Sequence, residues 1–204
     1  MGASGKTHTP DLSVPAIIGA LQGPTVSVAE ALAEGGIPAA EGFYAWWASK
    51  KTLPEVPVYP HPNEPWRLLY IGIAPGRDPA TRRSQSPPST IRSRVTRQHI
   101  GGNTGSSTLK LALAALLVDE RGYRPRRRSK KVVLDRTENL DLTEWQKEHL
   151  RLTWAVRTTP WKGTLEAAVI AQMRPPLNWQ HNQAHPFWPT LDAARTRFRT
   201  MPGI

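Results

Sequence analysis

The hydrophobic pattern is densest over Trp66-Arg67-Leu68-Leu69-Tyr70-Ile71-Gly72-Ile73-Ala74, an almost continuous apolar run bounded by Pro65 and by Pro75-Gly76. Such a run predicts a buried central strand. A glycine inside it marks a place where another group approaches the backbone closely. Gly42 to Trp47 predicts the first strand, and Leu150 to Val156 alternates apolar and polar residues as a third. Helical signals lie between them. Ser27-Val28-Ala29-Glu30 forms a capping box opening a short helix through Leu32. Ser89 or Thr90 caps a helix over Ile91 to His99 that Gly101-Gly102 stops. Thr108 to Val118 reads as a mostly buried helix, and Asp141 opens another through His149. Pro160 suits a first helical turn, with Leu165 to Met173 continuing it and Pro175-Pro176 breaking it. A last amphipathic piece covers Leu191 to Phe198, and no internal repeat is present.

Three stretches carry little apolar pattern. Residues 1 to about 25 read as a loose arm. Residues 51–65 hold five prolines and read as an extended loop, and residues 75–89 are rich in Pro, Ser and Arg. Arg124, Arg126, Arg127, Arg128, Lys130 and Lys131 make a basic loop, followed by a short strand at Val132-Val133-Leu134. The organisation expected is an arm with a short helix over 1–38, a domain over 39–180 with insertions near 48–65 and 75–89, and an extension over 181–204.

Composition narrows the function. The 204 residues suit one domain with its own core. With no Cys there is no disulfide framework, thiol nucleophile or Cys-based zinc site. Lys and Arg number 27 against 16 for Asp and Glu, a net charge of +11, which points to nucleic acid or another anionic surface. No stretch approaches the ~20 apolar residues of a membrane span. No signal peptide is evident at the N-terminus, so the expected location is cytoplasmic.

Two tyrosines beside strand glycines, an arginine-rich helix and one isolated acid on a basic chain suggest phosphodiester chemistry. Each residue also has a plainer reading. Tyr44 and Tyr70 read equally as strand aromatics with satisfied hydroxyls. Glu166 reads as a first-turn acid stabilising a helix by about 0.3–1 kcal/mol. Arg92, Arg94 and Arg97 read as a solvated helix face. Gly101 to Ser107 looks like a phosphate cradle but lacks a Gly-Lys-Ser/Thr ending, so it reads as a helix–helix turn. His181 and His185, with Asn182, read as a structural wrap, and Trp46, Trp47 and Trp179 as core.

Taken together, Gly42-Phe43-Tyr44, Tyr70-Ile71-Gly72, Arg94 in the next helix, Glu166 opening a later helix and Asn178 closing it resemble the GIY-YIG nuclease superfamily over residues 42–178. The chain departs from that pattern in three ways. Tyr44 and Tyr70 lie 26 residues apart where the family has a tight hairpin. The loop 75–89 is long. The position four residues after the arginine, often His or Tyr, is Gln98, with His99 one further on.

The resemblance implies an α/β sandwich of the α+β kind: a small three-stranded antiparallel sheet flanked by helices. It implies a metal-dependent endonuclease acting on DNA, with one Mg²⁺ or Mn²⁺ on Glu166, and the alternative is a non-catalytic nucleic-acid-binding module that keeps the fold. Arg94, in preference to Arg92, would hold the scissile phosphate. Tyr44 would act as general base or position the water, and Tyr70 would orient water or phosphate. His99 would assist general acid–base work or be a capping or surface histidine. Gly72 and Asn178 would shape the site's turns. Arg92, Arg97, Arg126, Arg127, Arg128 and Lys130 would contact the nucleic acid backbone. No membrane contact is expected, and the sequence leaves open whether a second copy or a targeting partner joins it.

Overall fold

The computed structural model describes residues 13–33, 35–57, 59–75, 88–157 and 165–201. The elements run in order as α1 (Val14–Leu21), β1 (Val26–Ser27), α2 (Val28–Ala33), β2 (Gly42–Ser49), β3 (Trp66–Ala74), α3 (Ser93–Ile100), α4 (Thr108–Leu117), β4 (Arg126–Arg128), β5 (Lys131–Val133), α5 (Arg136–His149), β6 (Leu150–Val156), α6 (Leu165–Met173) and α7 (Trp188–Thr200). The main sheet has four strands in the order β1-β6-β2-β3, all neighbours antiparallel, and β4 and β5 form a separate two-stranded ribbon. This is an α+β fold, with one strand more than the three expected. The extra strand, β1, is two residues long, too short to leave a period in the sequence.

Strands β2 and β6 are the interior strands, and β3 lies at the edge. Strand β2 pairs with β3 through Tyr44↔Gly72 and Trp46↔Tyr70, and with β6 through Tyr44↔Trp154. The run 66–74 reads as a central strand because its open edge is covered. His61 N–H donates to Trp66 O (2.8 Å), Leu68 N–H to Tyr59 O (2.9 Å) and Leu177 N–H to Leu69 O (2.9 Å). Asn178 completes the cover, accepting from Ile71 N–H (2.9 Å) and donating to Ile71 O (2.8 Å). An edge strand covered this way has most of its outward ladder groups paired, so it can be apolar on both faces.

The sheet has a core on each face. One contains Tyr44, Trp46, Tyr70 and Leu152 with residues of α2, α4, α5 and α7. The other contains Phe43, Ala45, Trp47, Leu68 and Ile71 with Val169 and Met173 of α6 and Ile17, Ile18 and Leu21 of α1. Residues 14–21, expected in a loose arm, are therefore a helix that closes the second layer. Ser13 caps it and Pro15 sits in its first turn. Residues 1–12 of that arm lie outside the described residues, as do Pro160 and most of the loop 75–89.

Helix α5 starts earlier than the expected Asp141. Asp135 caps it, and Glu138 returns the bond to Asp135 N–H in a full capping box. Residues 52–56, a run of turns where an extended loop is expected, are gathered by Arg67. This buried guanidinium donates to the carbonyls of Thr52, Leu53 and Val56. Among the described residues no helix is long and apolar enough to cross a membrane.

Candidate active site

The site forms on the sheet face that carries Tyr44 and Tyr70. Gly72 lies opposite Tyr44 in the ladder, and a Cβ there would stand 2.2 Å from Tyr44 Cζ and 2.3 Å from its hydroxyl oxygen. The Tyr44 ring thus lies across the Gly72 backbone, the close approach that the strand glycine predicts. Glu166 enters from the first turn of α6.

Helix α3 supplies the rest, and its geometry decides which side chains arrive. It is π-helical, and at its end Gly101 N–H donates to Thr96 O (2.8 Å), five residues back. In an α-helix a residue five positions on is turned ~140° away. A π turn brings it back toward the same side. His99 therefore shares a face with Arg94, and Gln98 is not displaced by it. His99 Nε2 lies 2.7 Å from the Tyr44 hydroxyl, and its Nδ1 lies 2.8 Å from Ser107 Oγ. Gln98 accepts from the Arg94 guanidinium and donates to Ser106 O (2.8 Å). Arg94 Nε donates to Ile73 O (3.1 Å). The surface alternative for His99 is thereby overturned, since its ring is fully buried.

Arg92 points elsewhere. Its guanidinium donates to Ile37 O (2.8 Å) and Gly35 O (3.1 Å), and so ties α3 to the turn before β2. Arg92 remains exposed alongside this structural role. Arg97 is exposed on the same helix.

Electrostatics fix the resting protonation. Burial raises the Tyr44 phenol well above its ordinary value, with Tyr70 adding to the effect and Arg94 opposing it. Burial also raises Tyr70, whose hydroxyl shares a hydrogen bond with Thr108 Oγ1 (2.9 Å). His99 is lowered to about 3, first by burial and then by the charges of Arg94 and Lys110. Tyr44 and His99 are thus both neutral near pH 7. Arg94 offers Tyr44 only donors, so the hydroxyl proton goes to His99 Nε2 and Nδ1–H donates to Ser107. Burial raises Glu166, with His181 and Arg94 pulling it back down.

Sequence reasoning missed four contributors. Ser107 caps α4 through Lys110 N–H (3.0 Å) while bonding His99. Lys110, fully buried, donates from Nζ to Ile100 O (2.8 Å), Gly102 O (2.9 Å) and Thr143 Oγ1 (2.7 Å), clamping the end of α3. Its apolar neighbours in an Ala/Leu-rich helix hide it in the sequence. Arg195 on α7 is 3% exposed, stacks over Trp179 (4.9 Å to the ring centroid) and lowers the Tyr70 pKa. His181 acts on Glu166, while His185 and Asn182 hold the C-terminal wrap through Phe187 N–H and Pro175 O. Trp46 and Trp47 are core as expected, whereas Trp179 is half-buried.

A metal fits this donor set. Glu166 is a half-buried hard oxygen donor, and Mg²⁺ keeps several waters, so a single carboxylate suffices. No group of three or more His, Cys, Asp or Glu gathers among the described residues, which argues against an all-protein cage.

An antiparallel sheet between helical layers, with a paired Tyr and His and an Arg on one face and the Glu166 carboxylate in electrostatic reach of them, defines a nuclease-type fold. The chain belongs to the GIY-YIG catalytic domain family, whose model matches residues 42–197, about three quarters of its length. Comparison with curated proteins and with solved structures gives no match.

Proposed function

We propose that the protein is a metal-dependent endonuclease that hydrolyses phosphodiester bonds in DNA. The observation that carries this reading is the buried chain Tyr44–His99–Ser107 beside Arg94 on a strongly basic fold. Hydrolysis needs a water held in line and deprotonated as it attacks. Tyr44 accepts a hydrogen bond from that water on its free lone pair. As the water gives its proton to the Tyr44 oxygen, the Tyr44 hydroxyl proton moves toward His99 Nε2. Burial disfavours both a phenolate at Tyr44 and an imidazolium at His99, so the proton rests on neither group and leaves to solvent as attack proceeds. Arg94, held by Gln98 and by Ile73 O, presents its remaining N–H groups to the phosphate, where negative charge builds in the transition state. Glu166 would hold one Mg²⁺ or Mn²⁺, which when bound supplies Lewis-acid stabilisation of the phosphate and leaving oxygens. Tyr70, fixed by Thr108, orients the water or a phosphate oxygen.

The test is nicking of supercoiled plasmid and cutting of labelled single strands with Mg²⁺, Mn²⁺ or EDTA, for wild type and Glu166→Ala. Cleavage that requires metal and disappears in the variant supports the reading. No cleavage of any substrate, together with salt-sensitive binding, would leave a nucleic-acid-binding module that keeps the fold.

A further inference from the structure

The basic segment after α4 is a hairpin, not the loop expected. Arg126 to Arg128 pairs with Lys131 to Val133 and reverses at Ser129, whose φ is 55°. Every side chain from Arg126 to Lys131 is exposed, and Val133 anchors the ribbon by burial. The ribbon therefore adds almost nothing to the core. Its charges are also largely uncompensated. Arg126 pairs with Asp135 at 3.4 Å, while Arg127, Arg128, Lys130 and Lys131 have no ion pair among the described residues.

The ribbon stands over the turn 101–107 with a cleft on each side. One, of about 460 Å³, has Gly101, Gly102 and Asn103 opposite Arg126 and Arg128. The other, of about 330 Å³, has Thr104 and Gly105 opposite Lys130 and Lys131. A Cβ on Gly105 would stand 2.9 Å from Lys131 Cδ and 3.0 Å from Val133 Cγ1, so this glycine lets the ribbon sit close. The same turn reaches the candidate active site, since Gln98 bridges Ser106 O and the Arg94 guanidinium.

We propose that this ribbon is a separate binding site for duplex DNA, inserted in the major groove with its arginines and lysine on flanking phosphates. It deepens the nuclease reading and rests on it only for the fate of the bound DNA. Three residues per strand span ~10 Å, and the B-form major groove, about 12 Å wide, admits a two-stranded ribbon. The deep, narrow major groove of A-form RNA does not. The ribbon's exposed residues are basic, without the apolar core that anchors a stable protein interface.

Anisotropy of a labelled 20-base-pair duplex, titrated with the full chain from 0.05 to 0.3 M KCl, tests this. The variant is Arg127→Ala/Arg128→Ala/Lys130→Ala, which leaves the Arg126–Asp135 pair intact; thermal melting checks its fold. Lys147→Ala, at a half-buried lysine paired with Glu144, controls for loss of a cation outside the ribbon. Three lost phosphate contacts flatten the log–log salt slope by about 3 and weaken binding about 100-fold near 0.15 M salt, whereas Lys147→Ala leaves the slope unchanged. A folded triple variant with the wild-type slope would overturn the proposal. So would tighter binding of a 20-base-pair RNA duplex than of the DNA. The readout is binding alone. Ribbon-dependent binding without cleavage would retire the nuclease reading and leave this one standing.

Discussion

At the scale of single residues, two positions tie local geometry to the chemistry. Gly72 has no room for a side chain, because a methyl group would overlap the Tyr44 ring. Gly72→Ala is expected to push that ring off His99, lowering stability by about 1–3 kcal/mol by overpacking. Cleavage should fall by on the order of 10² or more, since a positioned proton-transfer group contributes about 10²–10⁴. A melt and a plasmid-nicking assay on the same preparation check both numbers, and full activity would disconnect Tyr44 from catalysis. His99 carries a pH signature as well. Its pKa is about 3 when folded, against 6.5 unperturbed, so between these values the unfolded chain binds a proton that the folded chain does not. Stability therefore rises with pH across that window and is lost as pH falls through it, by up to about 5 kcal/mol in total. Chemical denaturation at pH 4 and pH 7 should show a smaller difference for His99→Gln than for wild type. Equal differences would mean that His99 titrates normally.

At the scale of elements, the edge of β3 and the turn of α3 matter most. Asn178 stands in for a fifth strand by bonding both backbone groups of Ile71. Asn178→Ala leaves a buried N–H and C=O unpaired, a cost of about 2–4 kcal/mol. Hydrogen exchange of the Ile71 amide should speed up well beyond that of its neighbours in β2, and unchanged protection would show that another group seals the edge. The π turn has a comparable role. It converts a spacing of five between Arg94 and His99 into a shared face, and the Lys110 ammonium, with its pKa lowered to about 8 by burial, holds the carbonyls where that helix ends.

At the scale of the whole molecule, the sheet is stable only if both faces are covered. Ile17, Ile18 and Leu21 of α1 bury against Phe43, Ala45, Trp47 and Ile71. Their removal costs about 4.5–9 kcal/mol at ~1.5–3 kcal/mol per side chain, comparable to the 5–15 kcal/mol that holds a domain together. A chain beginning at Pro24 is therefore expected to be largely unfolded at 37 °C by circular dichroism. A cooperative melt near the wild-type temperature would mean that α1 is dispensable.

Much of this was legible along the chain. Period and turn chemistry are local properties, so the strands at 42–49, 66–74 and 150–156, the Ser27–Glu30 box and the glycine stop of α3 follow from neighbouring residues. Tyr44, Tyr70, Arg94, Glu166 and Asn178 are recognisable because their order and residue types form the pattern that resembles the family. What the tertiary structure decided depends on groups far apart in sequence. That Arg92 turns to Ile37 O while Arg94 reaches Ile73 O and Gln98 depends on where those groups lie, and the arrival of His99 beside Tyr44 turns on a helix whose hydrogen bonds shift by one residue. The place of β3 at the edge, the docking of α1 and the burial of Lys110 and Arg195 are likewise set by long-range packing. Hydrogen-bond and burial energies are realised only when distant segments meet, and no short window of sequence contains both partners.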